Sequence, residues 1–285
     1  FLVVSRLLVQ CPESDLLAMP FRLAAWGIGI RTPCAARVLC IGFLGGFAPA
    51  ASAAAQAVRT GQLTAEEADA LLPACICSGP SFVVLTVGQS LLGSAELGVL
   101  LFASQITANY LTAALLNRFA GVRSVKPGSA APASPAPPRL DEILADAAIT
   151  YCKLCGFILF FRLLAAGAGA LLPAGAGTLC SILLEVCSGC DLASRTGRWG
   201  SLLCCAALSV QGLSVLLQVR TICPPEMTLR PLYRSRLLHL PLSLALFYLL
   251  LPGGEADVFS TLPARVLLMR RVPPDCALLV FAVCC

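Results

Sequence analysis

Two short stretches place polar and helix-breaking residues inside apolar runs: Ile76-Cys77-Ser78-Gly79-Pro80-Ser81-Phe82 and Leu208-Ser209-Val210-Gln211-Gly212-Leu213-Ser214. Gly and Pro interrupt a helix and free backbone amides and carbonyls that hydrocarbon cannot satisfy. Breaks at corresponding places in the two halves of a chain point to the substrate site of a transporter. A half-helix N-terminus at Gly79-Pro80 and another at Gly212 would present amides with partial positive charge, a setting for anionic groups. Ser78, Ser81, Ser209 and Ser214 would add hydroxyl donors, and Gln211 and Gln218 further polar partners. The alternative is that these side chains only re-satisfy a kinked helix.

Ionisable groups inside apolar runs come next, because each costs on the order of 2.5 to 3.5 kcal/mol at mid-membrane. Glu185 lies in the run Leu179 to Leu192. It is expected to be a proton-coupling carboxylate, one half of an ion pair with Lys153, or a residue at the interface. Lys153 is the one lysine inside an apolar run; Arg162, nine residues on, falls on the opposite helical face and reads as a snorkelling residue or a helix end. His239, the single histidine, starts the last long apolar segment and reads as structural. In the helix expected over Leu97 to Leu116, Gln105, Asn109 and Thr112 share one face and suit interhelical hydrogen bonds or a pathway lining.

No catalytic constellation accompanies them. A phosphate loop with Lys, a His metal cluster and a Ser-His-Asp spacing are all missing from the sequence, so neither an enzyme nor a cofactor is expected. The pairs Cys152/Cys155 and Cys187/Cys190 have metal or redox spacing but lack histidines and a βαβ context. Most of the 16 cysteines sit in apolar runs and read as small packing residues, not as bridges.

The elements that must position these groups are membrane helices. The 285-residue chain is 58% hydrophobic and 12% charged, where a soluble domain carries about 25% charge. Its mean hydropathy is +0.86. The net charge of +5 comes mainly from Arg residues between apolar segments, a pattern of topology and lipid contact and not of nucleic-acid binding. The predicted fold is an all-α polytopic membrane protein of two repeats with broken or re-entrant helices, inserted in opposite orientations.

The first repeat covers 1–117; it is read as N-terminally truncated, since Phe1 to Val9 is too short to span and no initiator Met precedes it. Within it, Val38 to Ala57 carries Gly42, Gly45, Gly46 and Pro49, predicting a helix broken near Gly46 or a re-entrant hairpin. Thr64-Ala65-Glu66-Glu67 is a capping box for a short helix to about Leu72, whose acidic residues place it at the interface. Residues 118–142 form a Pro/Ala-rich linker, cytoplasmic by its Arg and Lys. The second repeat covers 143–252, and 253–285 is a tail with a partial apolar segment.

Several of these segments, in order, resemble one family. They are Gly42-Phe43-Leu44-Gly45-Gly46-Phe47-Ala48-Pro49-Ala50, Thr64 to Leu72, Ser78 to Phe82, Leu184-Glu185 with Gly189, and Ser209 to Gln218. The family is the YlbJ (SpoVV-like) sporulation integral membrane proteins, within the wider group carrying nucleoside-recognition, or Gate, domains. Two departures stand out: Gly45-Gly46-Phe47-Ala48-Pro49-Ala50-Ala51 replaces a Ser-Gly-Tyr-Pro-Val-Gly-Ala pattern, and Ile76-Cys77 stands where an Asn is usual. The resemblance implies export of dipicolinic acid from the mother cell toward the forespore, in the bacterial cytoplasmic membrane or the outer forespore membrane. Under that reading Gly46, Ser78, Pro80, Ser81, Ser209, Gln211, Gly212, Ser214 and Gln218 bind the small anionic substrate, with the glutamines on a carboxylate or the ring nitrogen. The expected partners are that solute and the lipid bilayer, with no nucleic acid. A nucleoside, nucleobase or ion transporter, or a non-transporting sporulation scaffold, are the other functions this sequence allows.

Overall fold

The computed structural model describes residues 2–10, 15–121 and 140–251, and all regular structure among them is helical. Most of the expected linker and the 253–285 tail lie outside these residues. The chain opens with α1 (Leu2–Gln10) and α2 (Asp15–Gly27). Then come α3 (Pro33–Gly45), α4 (Phe47–Arg59), α5 (Ala65–Cys75), a π-helix (Ser81–Leu91) and α6 (Ala95–Ala120). After the undescribed linker follow α7 (Leu140–Leu171), α8 (Ala174–Leu184), α9 (Val186–Ser194), a single 3₁₀ turn (Gly197–Trp199), α10 (Gly200–Val210), α11 (Gly212–Ile222) and α12 (Arg230–Leu250).

Among the described residues, three helices are long and apolar enough to cross a membrane: Ala95–Ala120, Leu140–Leu171 and the interrupted Gly197–Ile222. They differ in how deeply the bundle buries them. Only 22% of the apolar window of α7 is buried, and Leu159, Phe160 and Leu163 point outward, as on a lipid-facing helix; the window across α10 and α11 is 61% buried. At the centre lies α4, whose Ala50, Ala51, Ala53, Ala54 and Ala57 are wholly enclosed. Small side chains let helix backbones approach closely where no hydrophobic force against lipid exists.

One-residue joints of two kinds shape the bundle. Gly46 joins α3 to α4 and Glu185 joins α8 to α9, and in each case the two helices pack back along each other. Close approach makes this possible: a Cβ on Gly189 of α9 would stand 2.8 Å from Ile182 Cα on α8, and one on Gly42 of α3 would stand 3.2 Å from Ala50 Cβ on α4. Gln211, by contrast, joins α10 to α11, two helices that make no extensive contact with each other. The apolar run Leu179 to Leu192 is therefore divided between two helices that meet at Glu185.

The capping box forms as expected. Glu67 N–H donates to Thr64 Oγ1 (3.1 Å) and Thr64 N–H to Glu67 Oε2 (3.2 Å), opening a helix that runs on to Cys75. Of its acidic residues Glu66 is exposed, whereas Glu67 and Asp69 are buried inside protein. Glu67 accepts from Thr32 Oγ1 (2.6 Å). Asp69 accepts from Thr228 N–H (2.8 Å), Thr228 Oγ1 (2.7 Å) and Leu229 N–H (3.1 Å), tying α5 to the start of α12 across 159 residues of chain.

Candidate functional site: a cavity between two hairpin tips and two helix breaks

Each joint that folds back on itself meets a joint that runs on. At the first crossing, a Cβ on Gly46 would stand 2.7 Å from the amide nitrogen of Gly79 and 3.2 Å from the Cys77 carbonyl oxygen. Gly46 also has φ 81° and ψ −163°, a region open essentially to glycine alone. At the second crossing, a Cβ on Gly212 (φ 69°) would stand 2.9 Å from the Glu185 amide nitrogen and 2.9 Å from the Leu184 carbonyl oxygen. Both glycines are there because two backbones touch. The crossings also join: Gln211 Nε2 donates to the Ile76 carbonyl at 3.2 Å, so the breaks of the two halves lie side by side.

A cavity of about 300 Å³ opens between them. Gly46, Phe47 and Pro49 of the first tip, Ser78 and Gly79 of the first break, Glu185 and Cys187 of the second tip and Gln218 of α11 line it. Along α7, Leu154, Ile158 and Arg162 complete the wall, with Phe82 and Thr86 of the π-helix and Asp191 of α9. A volume near 300 Å³ lies at the small end of ligand pockets and suits a single-ring solute. A roomier pocket of about 410 Å³, between Phe21, Phe43 and Tyr110, is apolar and touches neither break.

The charges on the wall are unevenly compensated. Glu185, 2% exposed, is the N-cap of α9: its carboxylate accepts from Cys187 N–H (2.8 Å), Ser188 N–H (2.7 Å) and Ser188 Oγ (2.8 Å). Those donors and the positive end of α9 hold its charge. Asp191 is bridged to Arg195 at 2.6 Å. Arg162 has no partner among the described residues. The N-terminus of α4 has no side-chain cap either, so the first-turn amides of Phe47 and Ala48 face no intrahelical acceptor. Among the described residues, the Arg162 guanidinium and the uncapped start of α4 are thus the uncompensated positive groups on the cavity wall.

Of the residues expected at a site, Gly46, Ser78, Glu185 and Gln218 come together on this wall, whereas Pro80, Ser81, Ser209, Gln211, Gly212, Ser214 and Lys153 are not on it. Pro80 caps the π-helix and Ser81 is exposed beside it. Ser209 is sealed between α6, α10 and α12, bonded to Gln105 Nε2 (2.9 Å), the Cys205 carbonyl (2.6 Å) and Ser243 Oγ. Gln211 and Gly212 build the second crossing. Ser214 accepts from Gln218 Nε2 (2.9 Å), which leaves Gln218 Oε1 buried without a donor, on a side chain 1% exposed.

The Lys153–Glu185 pair does not form, because Glu185 is engaged by α9 and Lys153 lies in a separate pocket of about 140 Å³ with Arg59 and Asp146. Gln105 and Asn109 bond across helices, Asn109 Nδ2 reaching the Ile76 carbonyl at 3.4 Å. Arg162 and Asp191 are the wall residues that sequence reasoning missed. Leu154, Ile158 and Arg162 recur at i, i+4 and i+8, so Arg162, itself exposed, reaches the cavity from the edge of the buried stripe of α7 formed by Leu154, Ile158, Phe161 and Ala165. No family model, curated protein or solved structure matches the chain.

Proposed function

We propose that this chain is a membrane transporter of a small aromatic dicarboxylate. Its two halves would be inverted repeats, with α3–α4 and α8–α9 as re-entrant hairpins and α5–π and α10–α11 as broken helices. The observation that carries this reading is a cavity lined by both tips, by the first break and by α11, with the second break packed directly against the Glu185 tip. Broken helices in hydrocarbon are expensive unless the freed backbone lines a cavity, and a site between repeats lets the halves rock around a bound solute.

Arg162 and the uncapped α4 start support an anionic cargo, and Phe47 and Phe82 a planar ring. Among such solutes, the family resemblance favours dipicolinic acid, exported toward the forespore across the cytoplasmic or outer forespore membrane. Purified protein in liposomes should move dipicolinate faster than empty vesicles, and Arg162→Gln should raise KM by about tenfold, the worth of one charge-assisted hydrogen bond. Uptake equal to empty vesicles sinks the reading.

A second cargo is favoured by one observation. The unpaired Gln218 Oε1 wants a donor, which a nucleobase N–H supplies and fully ionised dipicolinate does not. Competition between dipicolinate and nucleosides for uptake separates the two.

A further inference from the structure

Arg236 is the least expected charge in the molecule. It sits within α12, one turn before His239, with 8% of its surface exposed. Among the described residues no carboxylate pairs with it. Its donors go elsewhere: Nε to Ser235 Oγ (3.3 Å), Nη1 to the Ser209 carbonyl (3.5 Å) and Nη2 to Asn109 Oδ1 (3.2 Å). Asn109 passes the polarity on, its Nδ2 reaching the Ile76 carbonyl.

Both carbonyls have the same origin. Ser209 lies in the last turn of α10, which stops at Val210, and Ile76 is the C-cap of α5, which stops at Cys75. Each helix C-terminus carries roughly half a negative charge, so two together balance about one cation. A buried cation with no acid beside it is thereby accounted for: its counter-charge is the pair of helix ends that the two breaks expose. In transporters built on broken helices, half-helix C-termini and unwound carbonyls are where the coupling cation binds.

We infer that Arg236 is a built-in cation in that position, and that the protein needs no metal cation bound at its paired breaks. The geometry stands by itself; only the consequence, a transport cycle indifferent to sodium, rests on the transport reading. His239 supports the arrangement from the same face of α12, its Nε2 against the Gln105 carbonyl at 3.2 Å.

Thermal unfolding of the purified full chain in detergent tests this without any substrate, so a protein that moves no dipicolinate still decides it. The parent should unfold at the same midpoint in sodium, potassium or choline chloride of equal ionic strength. Arg236→Ala should unfold on the order of 5 °C lower in choline chloride, and sodium or lithium should restore at least half of the loss by entering the vacated place. Arg236→Lys should keep the parental midpoint and its indifference to salt. The inference is overturned if sodium specifically stabilises the parent, if Arg236→Ala is as stable as the parent, or if none of lithium, sodium and potassium restores it. Should Arg236→Ala fail to fold, Lys and Gln variants decide: a parental midpoint for Arg236→Lys supports the inference, and one no higher than that of Arg236→Gln overturns it.

Discussion

At the first crossing the hairpin tip is Gly46, which offers only backbone, and the break opposite spans Ile76 to Pro80. At the second the tip is Glu185, a charge, and the break is Gln211 and Gly212, both at positive φ. The outlines agree: a helix pair folds back, and its tip lies in the gap of a broken helix. The electrostatics do not. Glu185 spends the positive end of α9 on its own carboxylate, whereas the start of α4 is left unspent. The uncompensated positive groups on the cavity wall therefore come from both halves, the start of α4 from the first and Arg162 of α7 from the second, whereas the Glu185 tip is neutralised locally.

The largest effect should come from the first tip. Gly46→Val would force a branched side chain into a glycine-only conformation and into the Gly79 backbone 2.7 Å away. It should cost about 3 kcal/mol or more of stability and abolish uptake, measured by thermal unfolding and by liposome transport. If Gly46→Val is tolerated, the tip does not lie in the gap and the comparison is broken. Glu185→Gln comes next. Losing the charge–dipole term and one strong acceptor should cost about 1 kcal/mol. It would also make the second tip resemble the first, so KM for dipicolinate should fall while KM for an uncharged nucleoside stays unchanged. A rise in KM for dipicolinate would mean that Glu185 holds the solute.

A third variant, Gln218→Leu, sharpens the choice of cargo. Gln218 Nε2 donates to Ser214 Oγ while its Oε1 is unpaired, so the acceptor is what a solute N–H would lose. Uptake of a nucleobase-bearing solute should lose about fivefold in kcat/KM, the worth of one neutral hydrogen bond. Uptake of ionised dipicolinate should hold or improve. Equal losses for both solutes would place Gln218 in the packing of α11 and not on the solute.

Much of this arrangement is written locally. Glycine and proline inside apolar runs mark the breaks at Gly46, Gly79-Pro80 and Gly212, and Thr64 with Glu67 marks the start of α5. What is hidden depends on partners far away in the chain. Glu185 ends a helix although glutamate is an ordinary mid-helix residue and a rare N-cap, so Leu184-Glu185-Val186 carries no stop signal of its own. Arg236 belongs to an arginine-rich stretch that reads as a basic loop, yet Pro231 in the first turn already sets α12 going. The Asp69 clamp on Thr228 has no local signature at all. Periodicity places the helices, and contacts between halves decide which polar residues line the cavity and which hold a joint.

Lys153 supplies the smallest expected effect and a clean control. Membrane-embedded lysines are costly and are normally retained for function, which makes Lys153 an attractive partner for Glu185 in sequence. In the fold it is exposed on α7, with Arg59, Gln56 and Asp146 around its pocket, one turn of logic away from the cavity because Leu154, its neighbour, is the residue that faces inward. Successive helix positions differ by about 100°, so Leu154 reaches both the cavity and the Lys153 pocket while Lys153 lines only the latter. Lys153→Ala should change stability by less than about 0.5 kcal/mol and leave the KM for dipicolinate within twofold of the parent. A tenfold loss of uptake would put Lys153 on the solute's route between the surface and the cavity, and Arg162 would then be the second of two stations instead of the only one.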